Sequence, residues 1–428
     1  MHYYIRNNFK SLMVLLIFCF GNWIPGFCQT HIFTGNITDA VTGEPLPYVA
    51  VSLRKNLLST VSNENGNFDF NIPVEITDDS IVISSIGYAP QTYSMLAVPA
   101  PFNIKLQPNS FQLKEVMILP MPPTYYINLA MNSIKQNYPD NPFQSEAYYR
   151  EKMTENDNII KFTEAVFNSY YPNYTDTAAK DSHQLLLFNK ADDKKIAFMN
   201  NEDKKKRKKK KKQEDGEVAM TDTSDNAAIN IKEIFGGPDE ILSLDIVRDK
   251  EEFLDSNEFR HFNYSFAASS TYENKELMVI DFESRRRMDH VDLAGKIYID
   301  LESNAIVNID YIGDFRLPAL IQPILFVMGI HIEKPIIRKK LEYQKINSKW
   351  YPKHIQAGAD LNLTKRHLFS KNEHSHIVID GIFTVNKLIT EKANAIPEAK
   401  KYSKKKKMEE QVFNDEHITW DQINVIKR

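Results

Sequence analysis

The alternation of apolar and polar residues between Phe33 and Leu106 is the feature that most restricts how this chain can fold. Three runs place an apolar residue at every second position: Val49, Val51, Leu53; Phe68, Phe70, Ile72; and Phe102, Ile104, Leu106. A period of two puts these side chains on one face of a strand, and the Asp, Asn, Gly and Pro clusters between runs predict tight turns. The continuous run Ile81-Val82-Ile83 is typical of a strand buried on both faces. The segment therefore predicts a small β-sandwich of short antiparallel strands.

The same segment resembles a known domain family. The residues that carry the resemblance are Gly35, Ile37, Asp39, Thr42, Gly43, Pro45, Leu46, Val49, Val51, Thr60, Asn65, Gly66, Phe68, Gly87 and Tyr88. They are similar to the carboxypeptidase regulatory-like domain, a transthyretin-like sandwich found at the front of many Gram-negative envelope proteins. Gly43 and Gly66 suit turn positions with positive φ, and Pro45 fixes φ beside them. The resemblance implies a domain over residues 29–108 that cleaves nothing itself.

Residues 1–28 have the pattern of a secretory signal peptide. A basic start, MHYYIRNNFK, precedes an apolar stretch of roughly 10 residues and an exit rich in small residues. Cleavage near Cys28 is expected, which predicts an exported protein that is periplasmic or associated with the outer membrane. One alternative is a retained anchor, but Gly21, Asn22 and Pro25 interrupt the run before the ~20 apolar residues of a span. The other is a lipoprotein with Cys28 lipidated, for which the preceding residues are a poor match.

Charge and cysteine content exclude several classes of function. The net charge is −3, but nine consecutive basic residues occupy 204–212, and without them 44 basic residues face 56 acidic ones. An acidic body argues against a nucleic-acid partner. Cys19 and Cys28 are the only cysteines, so residues 29–428 can form no disulfide and support no cysteine chemistry.

A second, larger domain is predicted over residues 124–396, after a linker at 109–123 that ends in Pro122-Pro123. Thr124 is expected to cap a helix from Tyr125 to about Tyr138, whose apolar residues follow the helical period. Strand patterns recur at 144–153, 159–170, 276–283, 295–301, 307–311, 341–345, 350–355 and 376–383. Consecutive hairpins with one apolar face predict a curved, half-barrel-like antiparallel sheet. The fold class is therefore mainly β, a sandwich followed by an α+β domain with few helices.

Two further resemblances concern this second domain. The phrases NYPDNPFQSEAYYRE, IFGGPDEI and GKIYIDLESNAIVNIDY are similar to the second domain of uncharacterised envelope proteins that carry the same sandwich. In outline, the sheet also resembles the half-barrel of periplasmic lipoprotein carriers, which implies space for acyl chains.

Two segments are dominated by charge. Residues 200–228 are predicted to be a disordered insertion, because so polar a segment cannot bury enough apolar surface to fold. Its candidate contacts to anionic lipid or lipopolysaccharide phosphates are Lys204, Lys205, Lys206, Arg207 and Lys208. The alternative is a solvated loop. The tail, residues 397–428, starts with a second basic run and is predicted to end in a helix that docks through Phe413, Ile418, Trp420, Ile423 and Val425.

The most apolar stretch after residue 28 is Leu317–Ile330. About 14 residues interrupted by Pro318 and Pro323 are too few to span a bilayer, so a kinked helical segment is predicted and no transmembrane span is expected. Three roles are open: a buried helix that completes the core, a lid over the sheet, or an element in the membrane interface. Candidate ligand-binding residues are Leu320, Ile324, Phe326 and Met328.

A search for catalytic or metal-binding motifs finds one constellation. His374, His376 and Asp380 share a face if they lie on a strand, and two imidazoles with a carboxylate are candidate ligands of a divalent metal. The alternative is a polar strand end that meets solvent. Zinc-peptidase pairs, the nucleophile elbow and phosphate-binding glycine loops are missing from the sequence.

Two hypotheses of different classes follow. The first is a non-catalytic cell-envelope protein, in which the sandwich is a docking module and the sheet domain binds a hydrophobic or lipid ligand, or a protein partner. The second is an envelope hydrolase that acts on peptidoglycan or glycans through carboxylates and histidines of the large domain. The failed motif search favours the first, so the expectation is no enzymatic activity and no cofactor.

Overall fold

The structure is a computed structural model of the chain. It describes residues 30–98, 101–109, 120–175, 179–194, 196, 236–285, 292–314, 322–333, 335–367, 370–415 and 418–427. The predicted signal peptide and basic insertion, with Lys204–Lys208, lie outside these ranges, as does Leu320. Within them, every helix is too short or too polar to cross a bilayer.

The first body is the predicted sandwich. Its strands are β1 (Thr30–Asp39), β2 (Ala50–Leu53), β3 (Ser59–Val61), β4 (Asn67–Pro73), β5 (Ser80–Ser84), β6 (Gln91–Ser94) and β7 (Phe102–Leu106). They form two sheets, ordered β4-β1-β7 and β3-β2-β5-β6. The alternating residues of β2, β4 and β7 are buried between the sheets, which confirms the prediction. At Gly66, φ is +75° and a Cβ atom would lie 2.3 Å from the Ile37 carbonyl oxygen, so only glycine fits this turn.

Two details of the sandwich differ from the prediction. Strands β1 and β7 pair in parallel and not antiparallel. The chain crosses from β6 in one sheet to β7 in the other, so no hairpin fixes the direction of β7 against its neighbour. Val82 is only half-buried, whereas Ile81 and Ile83 are buried. A strand in a two-layer sandwich has one outer face, so the continuous apolar run does not indicate burial on both sides here.

The second body is one large antiparallel sheet. Its strands are β8 (Phe143–Glu155), β9 (Asn158–Tyr171), β10 (Ser182–Asp193), β11 (Phe262–Phe266), β12 (Ser270–Tyr272), β13 (Lys275–Ser284), β14 (Leu293–Asp300), β15 (Ile306–Asp314), β16 (Ile330–Ile332), β17 (Ile336–Ile346), β18 (Lys349–Lys365) and β19 (Glu373–Ile389). The order is β10-β9-β8-β19-β18-β17-β15-β14-β13-β11, with β12 and β16 beside β13 and β18. The last strand, β19, pairs with the first, β8, which places the two ends of the domain at the sheet centre.

The two faces of this sheet have different coverings. The inner face bears Tyr149, Leu341 and Phe383 and is covered by short helices. These are α1 (Pro123–Asn132), α2 (Ile134–Asn137), α3 (Pro238–Leu242), α4 (Ile246–Asp249) and α5 (Gln322–Val327). The outer face bears Tyr148 and Ile382, which pack against Val61 of the sandwich. The sheet therefore separates the hydrophobic core on its inner face from the sandwich on its outer face.

Both predicted helices at the ends of the large domain need correction. The first begins at Pro123, with Pro122 and not Thr124 at the N-cap, because proline suits the first helical position. It breaks at Ser133, whose hydroxyl donates to the Leu129 carbonyl, 2.8 Å away. The predicted terminal helix is wrong: the described part of the tail has only single 3-10 turns, at Glu398–Lys400, Met408–Glu410 and Trp420–Gln422. Between these turns the tail bonds to β10 instead of continuing as a helix: the Tyr402 amide donates to the His183 carbonyl at 2.7 Å, and the Phe413 amide donates to the Leu185 carbonyl at 2.8 Å.

Polar contacts fix the sandwich on the sheet. Ser59 Oγ donates to the Val385 carbonyl at 2.7 Å, and both groups are buried. The Leu388 amide donates to the Leu57 carbonyl at 3.2 Å, so β19 continues as an edge partner of the sandwich. Beside this seam, Arg150 forms an ion pair with Glu64 at 2.6 Å. Directional bonds of this kind define one orientation of the two bodies.

The C-terminal tail crosses this interface as a strap, a segment that bonds to the sandwich through its last residues. Asn424 accepts from the Asn71 amide at 2.6 Å and donates to the Asn71 carbonyl at 3.2 Å, so its side chain pairs with the edge of β4 as a strand would. Ile423 and Ile426 are buried beside it. Lys427 reaches Asp69 on the same strand at 2.9 Å.

Replacing Asn424 by alanine is expected to lower the free energy of unfolding by about 1–3 kcal/mol, because the two main-chain groups of Asn71 lose their partners. Urea denaturation measures the change. Asn103→Ala, at an exposed position of β7, is the matched control and is expected to shift stability by no more than about 0.5 kcal/mol. Equal effects of the two substitutions would contradict the strap.

Candidate functional site

Aromatic side chains fill most of the inner face. Phe143 stacks on Tyr171 with ring centroids 4.6 Å apart, and Phe253 stacks on Phe282 at 4.1 Å. All four belong to one continuous cluster of buried side chains that runs from α1 to β13. This part of the inner face is a packed core and not an open groove.

A small cleft remains where α3 crosses the sheet. Its volume is about 50 Å³, and Glu151, Glu240, Lys339, Ala357, Gly358 and Gly381 are among its lining residues. A water molecule needs a cavity of ~10–15 Å³, whereas pockets for ordinary ligands measure ~300–1,000 Å³. The cleft therefore has room for a few waters or a small ion, and not for an acyl chain.

The local sequence explains how α3 lies so close to the strands. A Cβ atom at Gly381 would come within 2.7 Å of Ile241 Cδ1, so α3 can pack this close to the sheet only because residue 381 has no side chain. Gly237 precedes the helix with φ of +107°, and Pro238 starts it. Glu240 forms an ion pair with Lys339 of β17 at 2.9 Å. The segment GGPDEI, residues 236–241, thus covers the cleft and is fixed to the sheet at both ends; it is called the cover below.

Glu151 is the buried carboxylate beneath this cover. It accepts from the Tyr149 hydroxyl at 3.0 Å and from the Gly237 amide, and it forms an ion pair with Lys161 of β9. Burial, together with the adjacent carboxylate, raises the pKa of Tyr149 well above its usual range. Glu151 Oε2 accepts both hydrogen bonds, whereas Oε1 is buried without a hydrogen bond and is balanced only by the Lys161 ammonium group, so the carboxylate fixes Gly237 and the cover on the sheet.

A second buried carboxylate, Asp245, holds helix α4, which follows the cover in the chain. The Tyr343 hydroxyl donates to it at 2.6 Å, the Tyr174 hydroxyl donates to its other oxygen, and the Arg248 amide donates at 3.3 Å. Burial raises the pKa of Asp245. Tyr174 also stacks on Tyr138 with centroids 5.0 Å apart. Sequence reasoning missed this centre, and its one local signal is an aspartate that caps the short helix α4.

The proposed metal ligands share a face of β19, as expected, but they do not converge. His374 Nδ1 lies 3.0 Å from Thr364 Oγ1, and His376 Nε2 lies 2.7 Å from Asp360 Oδ1. Asp380 follows His376 by four residues, or about 13 Å of extended chain, which is too far for one ion with ligands at ~2 Å. Across the ranges that the structure describes, His, Asp and Glu side chains form no group of three that could hold a metal.

The predicted ligand-binding segment is divided between core and solvent. Leu325 of α5 is buried against Ile330 and Leu361, with Met328 half-buried beside them. Phe326 and Val327 are 83% and 85% exposed. The side chain of Ile324 and the whole of Leu320 lie outside the described residues. Phe326 therefore faces away from the inner core, and this result does not support a ligand pocket beneath the segment.

A buried histidine occupies the interface of the two bodies. His354 stacks on Tyr48 of the sandwich with centroids 5.4 Å apart, and its Nδ1 lies 2.8 Å from Thr384 Oγ1. Burial lowers the pKa of His354 to about 3. Burial likewise lowers the pKa of His183, on β10, to about 4. Both imidazoles are neutral in the folded protein at any pH near neutrality.

These two histidines predict acid sensitivity. Unfolded histidine has a pKa of ~6.5, so below that pH the unfolded chain binds protons that the folded chain does not. Stability is therefore complete above about pH 6.5 and falls by about 1.4 kcal/mol per pH unit for each histidine down to its folded pKa. His354→Gln is expected to reduce this slope by about 1.4 kcal/mol per pH unit relative to the unsubstituted chain. Urea denaturation between pH 7 and 4.5 measures both slopes, and an unaltered slope in His354→Gln would refute this assignment.

Comparison with known proteins identifies the first body. The fold defines the chain as a two-body β protein, a small sandwich joined to a large antiparallel sheet. Residues 33–118 match the model of the CarboxypepD_reg-like domain, so the sandwich is a carboxypeptidase regulatory-like domain, as its residues predicted. The match does not extend to the large sheet, and no curated protein is similar enough to count as a relative.

Two solved structures have a distant likeness to the chain. A DUF1329 family protein from Desulfovibrio piger is 10% identical, with a TM-score of 0.24, and the alignment covers 63% of this chain and 94% of that protein. A protein of unknown function from Bacteroides fragilis, with a proposed membrane association, is 11% identical, with a TM-score of 0.15 and coverage of 84% and 98%. At these scores, neither likeness supports a functional assignment.

Proposed function

We propose that this chain is a non-catalytic binding protein of the cell envelope, exported and located in the periplasm or at the outer membrane. The regulatory-like sandwich is its docking module. The large sheet is a rigid scaffold that holds a partner at its surface and encloses no ligand.

The observation that carries this proposal is the filled inner face. Where a lipoprotein carrier would have an open lumen, the described residues pack aromatic rings at 4–5 Å separations and leave a cleft of about 50 Å³. An acyl chain cannot enter such a space. Binding at the outer surface is the alternative that agrees with this packing.

The geometry also favours a binding role over hydrolysis. A glycosidase needs two carboxyl groups on opposite sides of a substrate cleft, one to donate a proton and one to attack or activate water. The two buried carboxylates at the cover and at α4 have other partners: Glu151 is held by Lys161 and Gly237, and Asp245 by two tyrosines. Contacts of Lys204–Lys208 with anionic lipid or lipopolysaccharide remain a prediction, because these residues lie outside the described ranges.

An assay of hydrolysis tests the proposal. The full chain is incubated with peptidoglycan and with soluble glycans, beside Glu151→Gln and Asp245→Asn variants. The expected result is no released product from any of the three proteins. Product release that is lost in either variant would overturn the proposal in favour of an envelope hydrolase.

A further inference from the structure

We infer that the tip of α5 inserts into the interface of a phospholipid bilayer with anionic headgroups, which deepens the proposed binding role and rests on it. The docking site comprises Phe326 and Val327 at the end of α5, with the exposed cation Arg366 on the segment bonded to the turn that follows and the exposed cation Lys371 further along the same β18–β19 connection. The bilayer is the partner that the sheet scaffold holds at its surface.

The tip lies at the end of the sheet remote from the sandwich. The sandwich bonds to β19 near Val385. At the other end of that strand, Glu373 pairs with Lys365 of β18, which in turn pairs with Ile330 just after α5. The two positions are separated by about 40 Å of strand at ~3.3 Å per residue. One end of the molecule is thus occupied by the docking module, and the other presents α5.

The exposed pair is held firmly in place. Leu325 is buried in the core, so α5 cannot rotate to bury its neighbours. The Gly329 amide donates to the Phe326 carbonyl at 2.9 Å, and the Arg366 amide donates to the Gly329 carbonyl at 2.8 Å. Lys365 Nζ donates to the Met328 carbonyl and so caps the helix end. Two adjacent large apolar side chains, each more than 80% exposed on a fixed turn, form a protrusion that water solvates poorly.

The charges around the tip favour an anionic lipid surface. Arg366 is joined to the turn through its backbone, and Lys371 lies on the same β18–β19 connection. Of the described acidic residues at this end of the sheet, Glu333 is exposed, Glu373 pairs with His367 at 3.0 Å, and Asp157 is exposed on the β8–β9 turn. Apolar side chains flanked by cations are the combination that interfacial segments use to bind membranes.

Vesicle flotation tests the inference with the full chain. Vesicles of phosphatidylcholine, with and without phosphatidylglycerol, are mixed with the unsubstituted protein, with the double variant Phe326→Ser/Val327→Ser, and with the control Leu96→Ser. Leu96 is 88% exposed on the sandwich, so it matches the tip residues in exposure but not in location. Because all three positions are exposed, the variants are expected to fold normally, which circular dichroism checks.

The expected result is binding of the unsubstituted protein and the control, stronger with phosphatidylglycerol, and at least about tenfold weaker binding of the double variant. A blue shift of tryptophan emission from Phe326→Trp on addition of vesicles would place the tip in the bilayer. Failure of the unsubstituted protein to float, or equal flotation of the double variant, would overturn the inference. The hydrolysis assay is independent of this outcome, so failure of the lipid contact and failure of the proposed binding role can be told apart.

Discussion

Replacing Lys353 by methionine is expected to destabilise the protein by about 3–5 kcal/mol, the usual effect of removing one partner of a buried ion pair. Lys353 and Glu342 are 4% and 8% exposed, and Lys353 Nζ lies 3.0 Å from Glu342 Oε1. The same ammonium group donates to the Tyr272 hydroxyl at 2.9 Å. Burial opposes ionisation of both side chains, but their mutual attraction leaves the pKa of Lys353 raised and that of Glu342 lowered. Methionine fills the space and leaves Glu342 buried without its cation.

A double-mutant cycle separates the ion pair from packing. Glu342→Gln alone leaves Lys353 buried without its carboxylate and is expected to lower the free energy of unfolding about as much as Lys353→Met does. The double variant is expected to be at least about 2 kcal/mol more stable than the sum of the two single losses would give. Urea denaturation gives all four free energies. The exposed pair Lys275–Glu302 provides the control, and Lys275→Met is expected to change stability by no more than about 1 kcal/mol. Additive losses in the cycle would show that the two buried side chains are not coupled.

The second large effect is expected at Asp245. Alanine at this position leaves the Tyr174 and Tyr343 hydroxyls buried without their shared acceptor and removes the cap of α4, for a loss of about 3–5 kcal/mol. Tyr343→Phe removes one donor and is expected to lose about 0.5–1.5 kcal/mol, the usual net contribution of one hydrogen bond. Thermal and urea unfolding measure both changes.

Asp249, exposed at the end of the same short helix, is the matched control for this centre. Asp249→Ala is expected to shift stability by no more than about 0.5 kcal/mol. If Asp245→Ala lowered the free energy of unfolding no more than Asp249→Ala does, α4 would have to be held in place by its apolar contacts alone.

The parts of the fold that sequence reasoning predicted correctly depend on local patterns. The alternation of apolar and polar residues predicted the strands of the sandwich. The apolar side chains are buried because successive side chains along a strand point to opposite faces. Asn304 and Asn347 adopt φ of +58° and +57° in the hairpin turns that their sequence predicted. Such turns need only the conformational preferences of a few neighbouring residues, so a single sequence is sufficient to locate them.

The parts that were missed depend on contacts between distant residues. No local pattern at Phe143 or Ile389 specifies that β8 pairs with β19. The tail was predicted to be a helix from the spacing of its apolar residues between Phe413 and Val425, a local pattern that carries no information on the strands it contacts. The buried contacts of Glu151 exist only because β8, β9 and the GGPDEI cover meet there. The exposure of Phe326 could not be separated from the burial of Leu325 by composition, since both residues are apolar members of one run.

Native mass spectrometry of the full chain, purified without detergent, tests most directly whether the scaffold is filled by its own side chains. The account predicts the mass of the polypeptide alone, because a lipid held only at the α5 tip would be lost on dilution. A stoichiometric adduct with the mass of a phospholipid or fatty acid, retained through gel filtration, would mean that the sheet encloses a ligand and would contradict the account.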